Sequence, residues 1–294
     1  MILKSVRDNK INSYFIISLF ILIIMLATYF ICAAFDLGPF SAIIAIIFAS
    51  FSAFVSYYNC DKIVLGISNA RPATEEQDKL LSTILDNLCI ASGLPRPKLY
   101  VIDDPSPNAF ATGRNPENAV ICFTTGLIEK MNKYELEGVM AHELSHIKNY
   151  DILLSTVISV FVGFIVILSD IATRMIFFRN SDNKNSNPIV LIIGLVFLIL
   201  SPIFSTIIQL AVSRKREYLA DATSVEMTRN PEGLISALKK LSENSSPLET
   251  ANKATAHMYI VNPLKEKSKN KKQSSLFSTH PPIEDRINRL ENIN

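Results

Sequence analysis

Apolar and polar residues fall along this chain in long blocks. Residues 13–35, SYFIISLFILIIMLATYFICAAF, carry no charge, and residues 37–58 follow with only Asp36 between. At about 20 residues per leg the two predict a helical hairpin, each leg long enough for a hydrocarbon core of roughly 30 Å. The first run exceeds the apolar core of a signal peptide, usually about 7–15 residues, and reads as an uncleaved span. Residues 152–169 and 189–212 are a third and a fourth run, the last with Pro202 inside it. The alternative for these two is a pair of buried helices in a large core, because the third is short and Asp170 and Arg174 follow it.

The blocks between are mixed. Residues 74–92 predict an amphipathic helix, with Thr74 three positions before Gln77 as in a capping box. PKLYVID and AVICFTT read as strands from their β-branched and aromatic content. KEKSKNKKQSS, 265–275, reads as a solvated flexible loop, and there is no internal repeat. The chain thus divides into an N-terminal hairpin (1–60), a first polar block (61–151), a second pair of spans (152–212) and a second polar block (213–294). Two crossings separate the polar blocks, so both face one side. Lys4, Arg7 and Lys10 before the first run, with Arg214, Lys215 and Arg216 after the fourth, place that side in the cytoplasm. Arg174, Arg179 and Lys184, in the loop between the third and fourth runs, run against this orientation.

Composition agrees with a membrane protein: 49% of the 294 residues are hydrophobic and 19% charged. A net charge of +2, without basic residues interleaved with aromatics, argues against nucleic acid as a partner. Cys32, Cys60, Cys89 and Cys122 form no CxxC pair and read as buried thiols in a reducing compartment.

The chemistry concentrates in HELSH, residues 142–146. On a helix, His142 and His146 share a face and can offer two imidazole nitrogens to one tetrahedral zinc, while Glu143 is placed to act on the metal's water. The alternatives are a structural helix with two surface histidines, or a protein that keeps the metal without catalysis. A catalytic zinc needs a third protein ligand and an open position. In SRKREYLADATS, Glu217 and Asp221 lie four apart; Glu217 can bind the metal and Asp221 can support a ligand histidine, although a solvated acidic pair balanced by arginines is the commoner use. Were the third run one helix with HELSH, His146 would stand six residues, about 9 Å, before it, and Glu217 stands five, about 8 Å, past Val212. Both ligand groups would then lie at one height above one membrane face.

With HELSH, SPNAFATG before it, and SRKREYLADA and STHPPIEDRINRL after it, in that order among four apolar runs, the chain resembles the HtpX-type membrane zinc metalloproteases, relatives of the CAAX prenyl endopeptidases. The resemblance covers nearly the whole chain. It implies a mainly α membrane protein, with about four transmembrane helices and a cytoplasmic α+β zincin-like domain holding a small sheet. It also implies an inner-membrane endopeptidase, active in the stress response, that degrades misfolded or damaged membrane proteins, with other quality-control proteases as further partners. One zinc per subunit would sit on His142, His146 and Glu217, with Glu143 as acid and base, and with Asp221 and Arg286 supporting. His280, in THPP, matches a histidine that assists the oxyanion; a loop or capping histidine is the alternative. His257 has no partner motif and reads as ordinary.

The expected reaction is metal-assisted peptide hydrolysis, in which Glu143 accepts the water proton and returns it to the departing amine. Proteases of this kind commonly bind substrate as an added strand. Ile121, Cys122 and Phe123 of AVICFTTG are expected to supply that edge, with Asn108, Ala109 and Phe110 shaping the cleft. A plain sheet strand is the alternative for this segment. Three other readings stand beside the protease: a protease with its HExxH inside the bilayer, which the charged EKMNKYELEG before it disfavours; prenyl-protein processing; and a zinc-retaining scaffold.

Overall fold

The computed structural model describes residues 2–34, 39–162, 214–243, 246–250, 254–264 and 281–293. Two long helices come first, α1 (Ile2–Ala34) and α2 (Pro39–Tyr58), followed by the short α3 (Cys60–Ile67). Strand β1 (Arg71–Pro72) leads into α4 (Glu75–Ser92). Strands β2 (Lys98–Ile102), β3 (Ala109–Gly113) and β4 (Ala119–Thr124) then precede α5 (Thr125–Lys130) and α6 (Lys133–Lys148). Residues 151–162 are helical and are called α7. Beyond residue 213 come α8 (Arg214–Thr228), α9 (Pro231–Glu243) and α10 (Ile283–Glu291).

The capping box expected for 74–92 is present: the Thr74 hydroxyl accepts from Gln77 N, and Gly93, at φ 70°, closes α4 in the left-handed conformation. Helix α6 has a second box that the sequence reading did not single out. Asn132 accepts from the backbone of Tyr134 and Glu135, while Glu135 reaches back to Asn132 N. Glu135 is buried and also takes Ser236 Oγ at 2.6 Å and Lys240 Nζ at 2.7 Å, which ties the start of α6 to α9. The two helices cross closely. A Cβ on Gly138 would stand 2.6 Å from Leu234 N, and one on Gly233 would stand 2.5 Å from Tyr134 O.

The four strands form one sheet in the order β1-β2-β4-β3, with β2 and β4 parallel and the other pairs antiparallel. Alternation along β4 shows both faces covered. Ile121 and Phe123 join a core with Leu85 and Leu88 of α4, Met140 and Leu144 of α6, and Leu238 of α9, whereas Cys122 joins Val64, Phe110 and Tyr259. Buried on both faces and paired on both edges, β4 is an interior strand, as β2 is between β1 and β4.

Residues 2–34 and 39–58 are helical, as the first two apolar runs predict. Among the described residues no helix is long and apolar enough to cross a membrane. Many side chains of α1 and α2, the third run from residue 163 and the fourth run to residue 212 lie outside that set. HELSH and the third run do not form one helix: α6 ends at Lys148 with Asn149 as its C-cap, and Tyr150, at φ 58°, is left-handed. Its N–H caps Ile147 O at 3.2 Å, a role usually given to glycine or asparagine, and α7 starts afresh at residue 151.

Candidate metal centre

Helix α6 carries His142, Glu143 and His146 in its last two turns, and the first turn of α8 faces them with Glu217. The two imidazoles meet edge to face, at 4.7 Å between ring centroids, with their Nε2 atoms 3.1 Å apart. Glu217 Oε2 stands 3.7 Å from His142 Nε2, and its Oε1 stands 3.6 Å from His146 Nε2. A tetrahedral zinc with bonds of about 2.0–2.1 Å needs neighbouring ligand atoms roughly 3.3 Å apart, and the three observed spacings bracket that value.

The far nitrogens are also held. His146 Nδ1 lies 2.9 Å from Asp151 Oδ2, and His142 Nδ1 lies 3.0 Å from Asp221 Oδ1. Each carboxylate assigns a proton to its Nδ1 and so leaves the Nε2 lone pair directed at the centre, the usual arrangement around a metal-bound histidine. Burial alone would depress His146, but the Asp151 hydrogen bond and the charges of Glu217 and Glu143 push its pKa up to about 9. His142 falls to about 4 through burial and the nearby Arg286 cation. His142, His146 and Glu217 thus form a donor set that could hold one metal ion.

Arg286 is wholly buried behind the site. Its Nε and Nη2 form a two-point contact with Asp221 at 2.9 and 2.6 Å, Nη1 donates to Ile260 O at 3.1 Å, and Glu217 Oε2 lies 3.6 Å from Nη1. Nη2 also stands 3.4 Å from both ring nitrogens of His142. Asp221 is buried, and the Arg286 charge and the His142 and Arg286 hydrogen bonds outweigh that burial, so its pKa falls below the usual carboxylate range.

Glu143 is buried beside the two histidines and accepts the Ala111 N–H of β3. Burial first, and the Glu217 charge, outweigh His146 and Arg286 and raise its pKa to about 7, where a carboxylate both takes and returns a proton near neutral pH.

The structure therefore brings together His142, Glu143, His146, Glu217, Asp221 and Arg286. It adds Asp151, five residues past His146, which no spacing rule marks because the turn at Asn149–Tyr150 is what brings it back onto His146. His280 lies outside the described residues. His257 hydrogen-bonds to Ser155 O at 3.1 Å, in keeping with an ordinary packing role.

The expected substrate edge is corrected. Ile121, Cys122 and Phe123 lie in β4, whose main chain is paired to β2 and to β3, so it cannot accept another strand. The sheet edge beside Glu143 is β3, which holds Ala109 and Phe110. Phe110 is buried edge to face against Tyr259, and the Asn108 amide bonds to Val261, so these side chains are structural supports. Ile260 N donates to Ala109 O at 2.9 Å, and Gly113 N donates to Thr156 Oγ1 at 3.2 Å. The ends of this edge are therefore partly occupied.

Residues 75–294 match the description of Peptidase family M48. A "Protease HtpX homolog" of Dictyoglomus thermophilum is 46% identical over 287 residues, covering 98% of this chain and 93% of the relative. The protein of the same name in Listeria monocytogenes is 42% identical over 307 residues, covering all of both chains. The crystal structure of Ste24p from S. mikatae shares the fold, with a TM-score of 0.50 and 21% identity, over 98% of this chain and 67% of that one.

Proposed function

The chain belongs to peptidase family M48, and from that footing we propose that this metalloendopeptidase is a multi-pass inner-membrane enzyme that uses zinc to hydrolyse unfolded or damaged membrane proteins as part of a stress response. The observation that carries the reading is the convergence of His142 Nε2, His146 Nε2 and a Glu217 oxygen, with all three ligating atoms within 4.8 Å of one another. His142, His146 and Glu217 would hold the zinc. When bound, it supplies Lewis-acid polarisation of the scissile carbonyl and acidifies water.

The chain's own residues do the rest. Glu143, buried, next to His142 in the sequence and on the same helix as both histidines, takes a proton from the attacking water and later gives it to the leaving amine. Asp151 and Asp221 hold the imidazoles in the tautomer that turns Nε2 inward. The Asp221–Arg286 pair keeps the wall behind His142 rigid and buried. His280 is proposed as a donor to the developing oxyanion.

We place the substrate main chain along β3, because Ala111 of that strand touches Glu143. Ile260 and Thr156, at the two ends, favour a short extended segment over a folded surface. A membrane location is supported by the uncharged runs in α1 and α2 and by exposed Phe15, Ile43, Ile47, Phe51 and Phe54. The basic residues flanking the apolar runs favour a cytoplasmic site.

The test compares native and denatured forms of one membrane-protein substrate, incubated with the zinc-loaded protein in detergent. Preferential cleavage of the denatured form is expected. Equal rates on both forms would refute the substrate reading, and no cleavage of either would refute the proteolytic one.

A further inference from the structure

We propose that Asn9, in the N-terminal helix, is a positioning residue for the metal ligand His146, acting through Asp151. This rests on the reading of His142, His146 and Glu217 as the zinc ligands. Asn9 belongs to α1, before the first apolar run, and is 4% exposed. Its side-chain Nδ2 donates to Asp151 Oδ1 at 2.6 Å and to Asn149 O at 2.9 Å, while its Oδ1 receives Arg216 Nη1 of α8 at 3.3 Å. Asp151 turns its other oxygen, Oδ2, to His146 Nδ1 at 2.9 Å. One amide therefore gathers the carboxylate behind His146, the C-terminal carbonyl of α6 and the arginine next to Glu217.

The site demands this residue type. Two acceptors face one nitrogen and one donor faces the neighbouring oxygen, so the group must offer two protons and a lone pair without adding charge; a primary amide does so. Aspartate would set acceptors against acceptors, and a hydroxyl has a single proton. Helix α1 touches the same turn again through Lys10, whose Nζ lies 4.0 Å from the centre of the Tyr150 ring, next to Asp151. Because Tyr150 is left-handed and Asp151 follows a helix end, the carboxylate is not placed by an unbroken helix, and α1 supplies the missing fixture. The helix that leads into the first apolar run is thus part of the metal centre, although 142 residues separate Asn9 from Asp151.

The test uses the full chain in detergent. Zinc affinity is measured by competition with a chelator, and the visible spectrum of the cobalt(II)-loaded protein reports the ligand field. Asn9 bonds to Asp151 and not to the ligand itself, so Asn9→Ala is expected to weaken zinc by about 10-fold, the lower end of what loss of a ligand's direct partner costs, and to shift the cobalt bands. Asn9→Asp is expected to weaken it further. Ser13→Ala, one turn along the same buried face, removes a hydroxyl that among the described residues bonds to the Asn9 carbonyl, and should leave both readouts unchanged. Wild-type affinity and an unshifted spectrum in Asn9→Ala would overturn the proposal, as would an equal loss in Ser13→Ala, which would mark a mere packing defect. If His146→Ala bound zinc as tightly as wild type, the metal-centre reading itself would fail.

Discussion

The buried pair behind His142 should separate stability from metal binding. Arg286 is wholly buried and holds Asp221 by two short contacts, 2.6 and 2.9 Å, while Asp221 holds His142. Arg286→Met leaves a carboxylate buried without its cation, a change that typically costs about 3–5 kcal/mol. At about 2–4 °C per kcal/mol, that lowers the melting temperature of the metal-free protein by roughly 6–20 °C. Adding Asp221→Leu removes the stranded charge and puts an apolar side chain in its place, so the double variant should melt above the Arg286→Met single. Zinc affinity should not recover, because the partner of His142 Nδ1 is gone; it should stay about 10–100-fold below wild type. Calorimetry of the metal-free proteins and chelator competition read the two quantities. Additive losses in melting temperature, or zinc affinity rising in step with stability in the double variant, would refute the reasoning.

Glu135 gives a pH signature. Burial would raise its pKa, but the Lys240, Ser236 and Asn132 hydrogen bonds lower it overall, so its stabilisation is present above the ordinary carboxylate range and lost as pH falls through the depressed value. Glu135→Gln should therefore narrow the gap between neutral and acid melting temperatures; an unchanged gap would contradict this. Gly138→Ala should destabilise the α6–α9 crossing by about 1–3 kcal/mol, since its Cβ meets the Leu234 backbone, despite the better helix propensity of alanine. A thermal melt that rises would contradict the close approach. His280→Ala should lower kcat with zinc affinity unchanged, and a loss of zinc affinity would assign it to the metal instead.

Local spacing made much of the centre legible. The i, i+4 rule put His142 and His146 on one helical face, and the same rule put Glu217 and Asp221 on another. The Thr74–Gln77 box and the two strand segments were legible in the same way. What escaped depends on distant pairing. The composition of β4 suits any covered strand, and only its parallel pairing with β2 makes it interior and leaves β3 beside Glu143. Asp151 escaped because Tyr150, not a glycine, takes the left-handed position that ends α6. Asn9 carries no local signal, since its partners lie in the turn after α6 and in α8.

Hydrolysis by a zinc held on His142, His146 and Glu217, with Glu143 moving the proton, is tested most directly by side-by-side cleavage of an unfolded membrane protein. Wild type and Glu143→Gln would be purified free of metal, assayed in detergent, and titrated with zinc. Zinc should restore cleavage to the wild type alone, while both proteins bind it with similar affinity. Cleavage by Glu143→Gln at the wild-type rate would contradict the account, and so would zinc-loaded wild type that leaves the substrate intact.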